Sequence, residues 1–191
     1  MQDRYPNFAA LAQAERRGED YDFRLVDRGT AIVIIAPHGG FIEPGTTEIA
    51  EAIAGDNFSF YSFEGLRPGR PHRDLHITSH KFDEPHGQRL VQSSQTALAV
   101  HGRADNESED IWMGGRHAPL KAKVAAALDE AGFCSAMAPK ALAAQDRANI
   151  CNGGTEGAGV QLELPRSLRD RLVAEPALRQ HFASAVRDAL N

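Results

Sequence analysis

Apolar residues in this chain gather in short blocks separated by polar, glycine-rich stretches. Residues 31–36 (Ala-Ile-Val-Ile-Ile-Ala) are wholly apolar and β-branched, which predicts a strand buried on both faces. Residues 96–100 form a second block of the same kind. Residues 21–26 alternate and lead into the turn Asp27-Arg28-Gly29, and residues 58–63 are aromatic-rich, so both predict strands. Residues 75–78 and 133–137 are shorter strand candidates. Residues 160–164 alternate apolar positions with Gln161 and Glu163 until Pro165 ends the run. The ordinary expectation for such polar positions is a solvent-facing side.

Between these blocks the period lengthens to that of helices. Asn7 can cap a short helix carrying Phe8, Leu11 and Ala12. Thr46 or Thr47 can cap a helix through Glu48, Ile49, Ala52 and Ile53 that stops at Gly55. Glu84-Pro85 opens a helix towards Val91. Leu120, Val124, Leu128 and Ala131 mark an amphipathic helix stopped by Gly132. Pro176 opens a last helix with Leu178, Phe182, Val186 and Ala189 on one face. Helices alternating with strands predict an α/β fold, one domain over residues 1–191, with a mixed sheet flanked by helices. The mixing is expected because residues 160–164 read as half-polar.

Composition narrows the function classes. A formal charge of −5 argues against a nucleic-acid partner and makes binding of any polyanion depend on a local basic pocket. Cys134 and Cys151 give no disulfide framework and no CxxC pair. No segment is apolar enough to span a bilayer, and the opening Met1-Gln2-Asp3-Arg4-Tyr5 lacks the apolar core of a signal peptide. A cytoplasmic monomer, or a protein released by lysis, is the expectation.

The chemistry sits where the apolar blocks end. Residues 31–36 run into Pro37-His38-Gly39-Gly40, and residues 96–100 run into His101-Gly102; Glu43 follows His38 by five positions. In α/β sheets the loops at the carboxyl ends of strands carry the chemistry. A histidine and a glutamate five apart are common in loops by themselves. The second strand ending in His-Gly makes His38, Glu43 and His101 a candidate zinc set, three protein ligands with one position left for water. Glu163 is the candidate general base, because Gly153, Gly154, Gly157 and Gly159 precede it and permit close approach of a ligand. His72, His76 and His80 are spaced by four, but the residues between them are not helical in character, so His76 is read as a neighbour of the site. His86, His117 and His181 read as surface or cap residues. Cys151 lacks a clear histidine partner and is not the expected nucleophile. Arg103, Arg116 and Arg147 lie near loops of the site face, where arginine could take a carboxylate in bidentate fashion.

The strings His-Gly-Gly-Phe-Ile-Glu-Pro-Gly-Thr-Thr-Glu, Leu-His-Ile-Thr-Ser, Phe-Asp-Glu-Pro, His-Gly, Asn-Ile-Cys-Asn and Val-Gln-Leu-Glu-Leu occur in this order. The ordered set, over roughly residues 31–169, resembles the phage-type poly-γ-glutamate hydrolase family. The resemblance implies a zinc-dependent γ-glutamyl hydrolase with a core related to zinc carboxypeptidases. Carried over position by position, the zinc ligands fall on His38, Glu43 and His101 and the base on Glu163. The His-to-Glu spacing is longer than in ordinary zinc carboxypeptidases. An anionic γ-glutamyl polymer or peptide is the implied substrate, and Arg116, Arg147 and His76 are the residues expected to meet it. Two rivals stand beside this reading: a zinc deacylase of a small N-acyl amino acid, and a non-catalytic, metal-stabilised binding module.

Overall fold

The two wholly apolar blocks lie side by side at the centre of a seven-stranded sheet. The computed structural model describes residues 3–105 and 108–191. Met1 and Gln2, at the head of the stretch read as too polar for a leader, lie outside them. In chain order the elements are α1 (Phe8–Ala14), β1 (Tyr21–Val26), β2 (Ile32–Gly40), α2 (Thr46–Ala54), β3 (Ser59–Gly65), α3 (Pro85–Ser93) and β4 (Thr96–Arg103). There follow β5 (Ile111–Gly114), α4 (Ala118–Glu130), β6 (Ser135–Met137), β7 (Val160–Pro165), α5 (Arg166–Ala174) and α6 (Pro176–Leu190). The strand order is β1-β3-β2-β4-β7-β5-β6. Neighbours run parallel except β1 with β3 and β5 with β7. No helix among the described residues is long and apolar enough to cross a membrane.

Strand alternation divides the core in two. Ile34, Leu98, Val100, Val160 and Leu162 face α2, α4, α5 and α6, while Val33, Ile35, Ala97 and Ala99 face α1 and α3. The crossover from β2 to β3 uses α2 on the first face. The crossover from β3 to β4 uses α3 on the second and lands on the other side of β2. The winding therefore reverses between β2 and β4, and a crevice opens at their carboxyl ends. His38 and His101 stand there.

Four local expectations need correction. The helix after β2 is capped by Gly45 at φ 92°, not by Thr46 or Thr47. Those hydroxyls bond elsewhere: Thr46 donates to the Glu43 carbonyl (2.8 Å), and Thr47 pairs with Ser62 (2.8 Å) and accepts from the Gly40 N–H (3.1 Å). Residues 75–78 form no strand, because their backbone is engaged by Asp3 and His38 instead of a ladder. Pro165 ends β7 but also opens α5, which the sequence reading lacks. The polar side of β7 is not solvated, since Gln161 and Glu163 are 4% and 5% exposed.

Glu84, fully buried, caps α3 and anchors it to the sheet. Its carboxylate accepts from the Gly87 N–H (2.8 Å), the Tyr61 hydroxyl (2.7 Å) and His86 Nδ1 (2.7 Å). Burial and the adjacent Glu84 charge push the Tyr61 phenol well above its usual range. Glu84→Ala leaves a helix N-terminus and a core hydroxyl without an acceptor. Its expected cost is about 2–4 kcal/mol, read as a lower urea midpoint at unchanged slope. A loss under about 0.5 kcal/mol, the range of ordinary surface changes, would show that Gly87 and Tyr61 find other partners.

Candidate metal centre and catalytic cavity

His38 leaves β2 through a register shift between Ala36 and Gly39 on the β3 side. Gly39 is required there, because a Cβ would collide with the hydroxyls of Ser62 and Thr47. His38 Nε2 lies 2.8 Å from the Ile77 carbonyl. A carbonyl only accepts, so Nε2 carries the hydrogen and Nδ1 presents a lone pair. Glu43 folds back over the histidine because its N–H donates to the His38 carbonyl (2.9 Å), which closes the five-residue turn. Its Oε2 accepts from the Gly102 N–H at 2.7 Å.

Three candidate ligand groups thus converge. His38 Nδ1 is 3.1 Å from His101 Nδ1 and 3.2 Å from Glu43 Oε1, and His101 Nδ1 is 3.6 Å from Glu43 Oε2. A tetrahedral ion with bonds of ~2.0–2.2 Å holds its ligands about 3.3–3.6 Å apart, so one separation falls in that range and the other two are about 0.1–0.2 Å short of it. All three side chains are buried. Burial alone would neutralise Glu43, yet the histidines that face it, His38 first and then His101 and His72, hold its carboxyl well below the usual range. Burial opposes charge on His101, but the Glu43 hydrogen bond and the Glu163 and Glu43 charges raise its proton affinity. The carboxylates and histidines of the cluster favour each other's charge against the cost of burial.

A second grouping shares two members: His38, Glu43 and His76 offer ligand atoms within 4.8 Å of one another. His76 differs in its bonding and attitude. Its Nδ1 is 2.6 Å from Asp3 Oδ1, and its ring lies over that of His38, centroids 4.0 Å apart and tilted 35°. The His38 and His101 rings meet edge-on at 62°. Burial first, then repulsion from His38, pushes the His76 imidazole down to about 3. It is therefore neutral and donates to Asp3. Asp3 also accepts from the Thr78 N–H (2.8 Å) and hydroxyl (2.7 Å), bonds that outweigh burial and lower its carboxyl.

Alternation on β4 and β7 sets the rest of the site. His101 and Arg103 follow Ala97 and Ala99 on the α3 face, and His101 pairs directly with Glu163, which Trp112 flanks from β5. Burial pushes the Glu163 carboxyl upward against the pull of His101. Arg169 of α5, which the sequence reading missed, ties this end of the sheet together. It donates to the carbonyls of Leu164 (3.2 Å), Arg103 (3.2 Å) and Pro44. Gly102 makes room for it, since a Cβ there would strike the guanidinium. Nothing local in the sequence marks Arg169 or Asp3, because Pro44 and Arg103 for the one, and His76 and Thr78 for the other, lie far along the chain.

His38, Glu43, His76, His101, Gln161 and Glu163 line one cavity of about 710 Å³. Arg116 and Arg147 do not line it; both are exposed, and Arg116 donates to the Gln145 carbonyl (3.3 Å) at the cavity wall. The long cations that do line it are Arg103 and Lys140. Arg103 is pinned by four backbone carbonyls, those of Ala104, Asp105, Ser108 and Asp110, and stacks 3.9 Å over Trp112. Cys151 is buried and its thiol is pushed up to about 12 by burial, as an inert core residue requires.

Comparison with known proteins shows the family. The SPbeta prophage-derived UPF0714 protein YoqZ of Bacillus subtilis (strain 168) is 35% identical over 170 residues, 87% of this chain and 60% of its own length. The UPF0714 protein YmaC of the same organism is 34% identical over 171 residues, 88% of this chain and 71% of its own length. Among solved structures, a bacteriophage poly-gamma-glutamate hydrolase superposes with a TM-score of 0.92 at 29% identity, covering 98% of this chain and 96% of that one. YNDL in an apo, zinc-free form gives 0.91 at 29% identity, covering 99% and 98%. The model of the family described as poly-gamma-glutamate hydrolase matches residues 5–188, and the chain belongs to that family.

Proposed function

We propose that this chain hydrolyses amide bonds, namely the γ-glutamyl linkages of poly-γ-glutamate, with zinc held by His38 Nδ1, Glu43 and His101 Nδ1. The observation that carries the reading is the convergence of two imidazole nitrogens and a carboxylate at 3.1–3.6 Å, beside a buried carboxyl that is not part of the cluster. The donor set suits zinc, two nitrogens and one oxygen with a position left over. When bound, zinc supplies Lewis acidity towards a carbonyl and makes water a stronger acid. The chain supplies the proton traffic. Glu163 Oε2 takes the proton of the attacking water and hands it to the departing amine. Its burial raises its proton affinity, which suits a group that must accept in one step and release in the next.

A γ-linked glutamyl chain keeps a free α-carboxylate on every unit. On a chain with a formal charge of −5, the polymer needs local cations. We assign the contact inside the cavity to Lys140 and Arg103, with His76 on the wall. Arg116 and Arg147 meet only a polymer that extends beyond it. The test is release of γ-glutamyl fragments by zinc-loaded protein, with α-linked polyglutamate and N-acyl amino acids as comparison substrates. Cleavage of γ-linkages is expected, weakening as salt rises. Lys140→Ala should raise KM about two- to fivefold and Arg147→Ala by less. Cleavage of N-acyl amino acids alone gives the deacylase. A larger effect at Arg147 moves the polymer out of the cavity.

A further inference from the structure

The Asn-Ile-Cys-Asn string has no part in the chemistry described above, yet it stands one residue contact behind the proposed base. Asn149 opens the 3-10 turn Ile150–Asn152. Its Oδ1 accepts from the Cys151 N–H at 3.0 Å. A backbone N–H only donates, so this fixes the Asn149 amide, and Nδ2 is the atom that faces Gln161. That Nδ2 donates to Gln161 Oε1 at 3.3 Å. Gln161 Nε2 is thereby left with two acceptors, the Leu142 carbonyl (3.3 Å) and Glu163 Oε1 (2.8 Å). A carbonyl only accepts, so both ends of the chain are anchored on backbone and neither amide can flip without breaking an anchor. All three side chains are buried. One oxygen of Glu163 is permanently occupied by a donor. The other, Oε2, takes no hydrogen bond among the described residues and is left to the cavity that Glu163 lines.

The second asparagine of the string holds the adjoining wall. Asn152 Nδ2 donates to the carbonyls of Ala144 (2.9 Å) and Asp146 (2.8 Å), and its Oδ1 accepts from the N–H groups of Gly159 (3.0 Å) and Arg116 (3.2 Å). Ala144 sits at φ 50°, a left-handed conformation costly for alanine, on the same segment that receives Gln161 at Leu142.

We propose that Asn149 and Gln161 form a positioning relay that fixes Glu163 Oε1 and thereby makes Oε2 the one atom that carries the catalytic proton. The proposal rests on the hydrolase reading above. Its test uses the zinc-loaded protein with Gln161→Leu, Asn149→Ala and the double variant. Gln161→Leu should lower kcat about 10- to 100-fold, with KM within about twofold and zinc content unchanged. Asn149→Ala should cause a smaller loss of the same kind. The double variant should be no slower than Gln161→Leu alone, because Asn149 acts only through Gln161. Gln161→Met, of equal length, carries the comparison if the leucine variant does not fold. Wild-type kcat in a folded Gln161 variant overturns the relay, as do losses that multiply in the double variant or fall on KM. A wild type that cleaves no γ-glutamyl substrate overturns the hydrolase reading and the relay with it; an active wild type with unaffected variants overturns the relay alone.

Discussion

His101→Ala is expected to abolish zinc retention and, with it, turnover. Apparent binding energies of about 10–16 kcal/mol for four-ligand zinc sites, divided evenly, give ~2.5–4 kcal/mol per ligand. Removing one ligand should then weaken zinc binding about 10²–10³-fold. Metal content after dialysis reads the loss directly, and a thermal scan reads it independently. Zinc that binds only the folded state raises the melting temperature of the wild type, and that rise should vanish in the variant. His76→Ala makes the comparison decisive, because His38, Glu43 and His76 also gather within 4.8 Å. With His101 as the ligand, His76→Ala keeps its metal and loses the Asp3 hydrogen bond and the ring contacts with His38 and His72. If the two results are exchanged, His76 takes the place of His101 in the ligand set.

What the sequence made legible is what a buried parallel sheet imposes. Residues 31–36 and 96–100 had to be apolar on both sides, so their ends, and the two histidines, were visible as breaks in the pattern. The five-residue turn to Glu43 was visible as a pairing but not as a geometry; that depends on one backbone hydrogen bond to His38. The burial of Glu163 was not legible. A strand reports its own alternation and nothing of what covers it. Here the cover comes from segments near Thr78 and Leu142, which are irregular and carry no period. Residues 75–78 looked like a strand for the converse reason: their apolar residues are buried, but their backbone partners are a side chain and a histidine ring. Arginine was the least legible of all. Arg103, Arg116, Arg147 and Arg169 read alike in sequence, and only the sheet edge separates one that lines the cavity, two that are exposed and one that joins the ends of β4 and β7 to the turn at Pro44.

Glu163→Gln should lower kcat by about 10²–10⁴ while the protein keeps its zinc. The variant is close to isosteric, and the relay decides how it sits. Gln161 presents an N–H at 2.8 Å to the Oε1 position, so the new amide must place its oxygen there and turn its NH2 group to the cavity. The atom that faces the attacking water then donates hydrogen bonds and accepts no proton. Folding should not suffer. Burial raises the Glu163 proton affinity, so ionising it opposes the folded state, and that stability term is lost as pH rises through its elevated pKa. A neutral glutamine is free of that term, and the metal-free variant should melt no lower than wild type at neutral pH. Loss of zinc in this variant would make Glu163 a ligand and reopen the role of Glu43. Full activity with zinc retained would place the base elsewhere, and His76, whose Nε2 takes no hydrogen bond among the described residues, would be the next residue to replace.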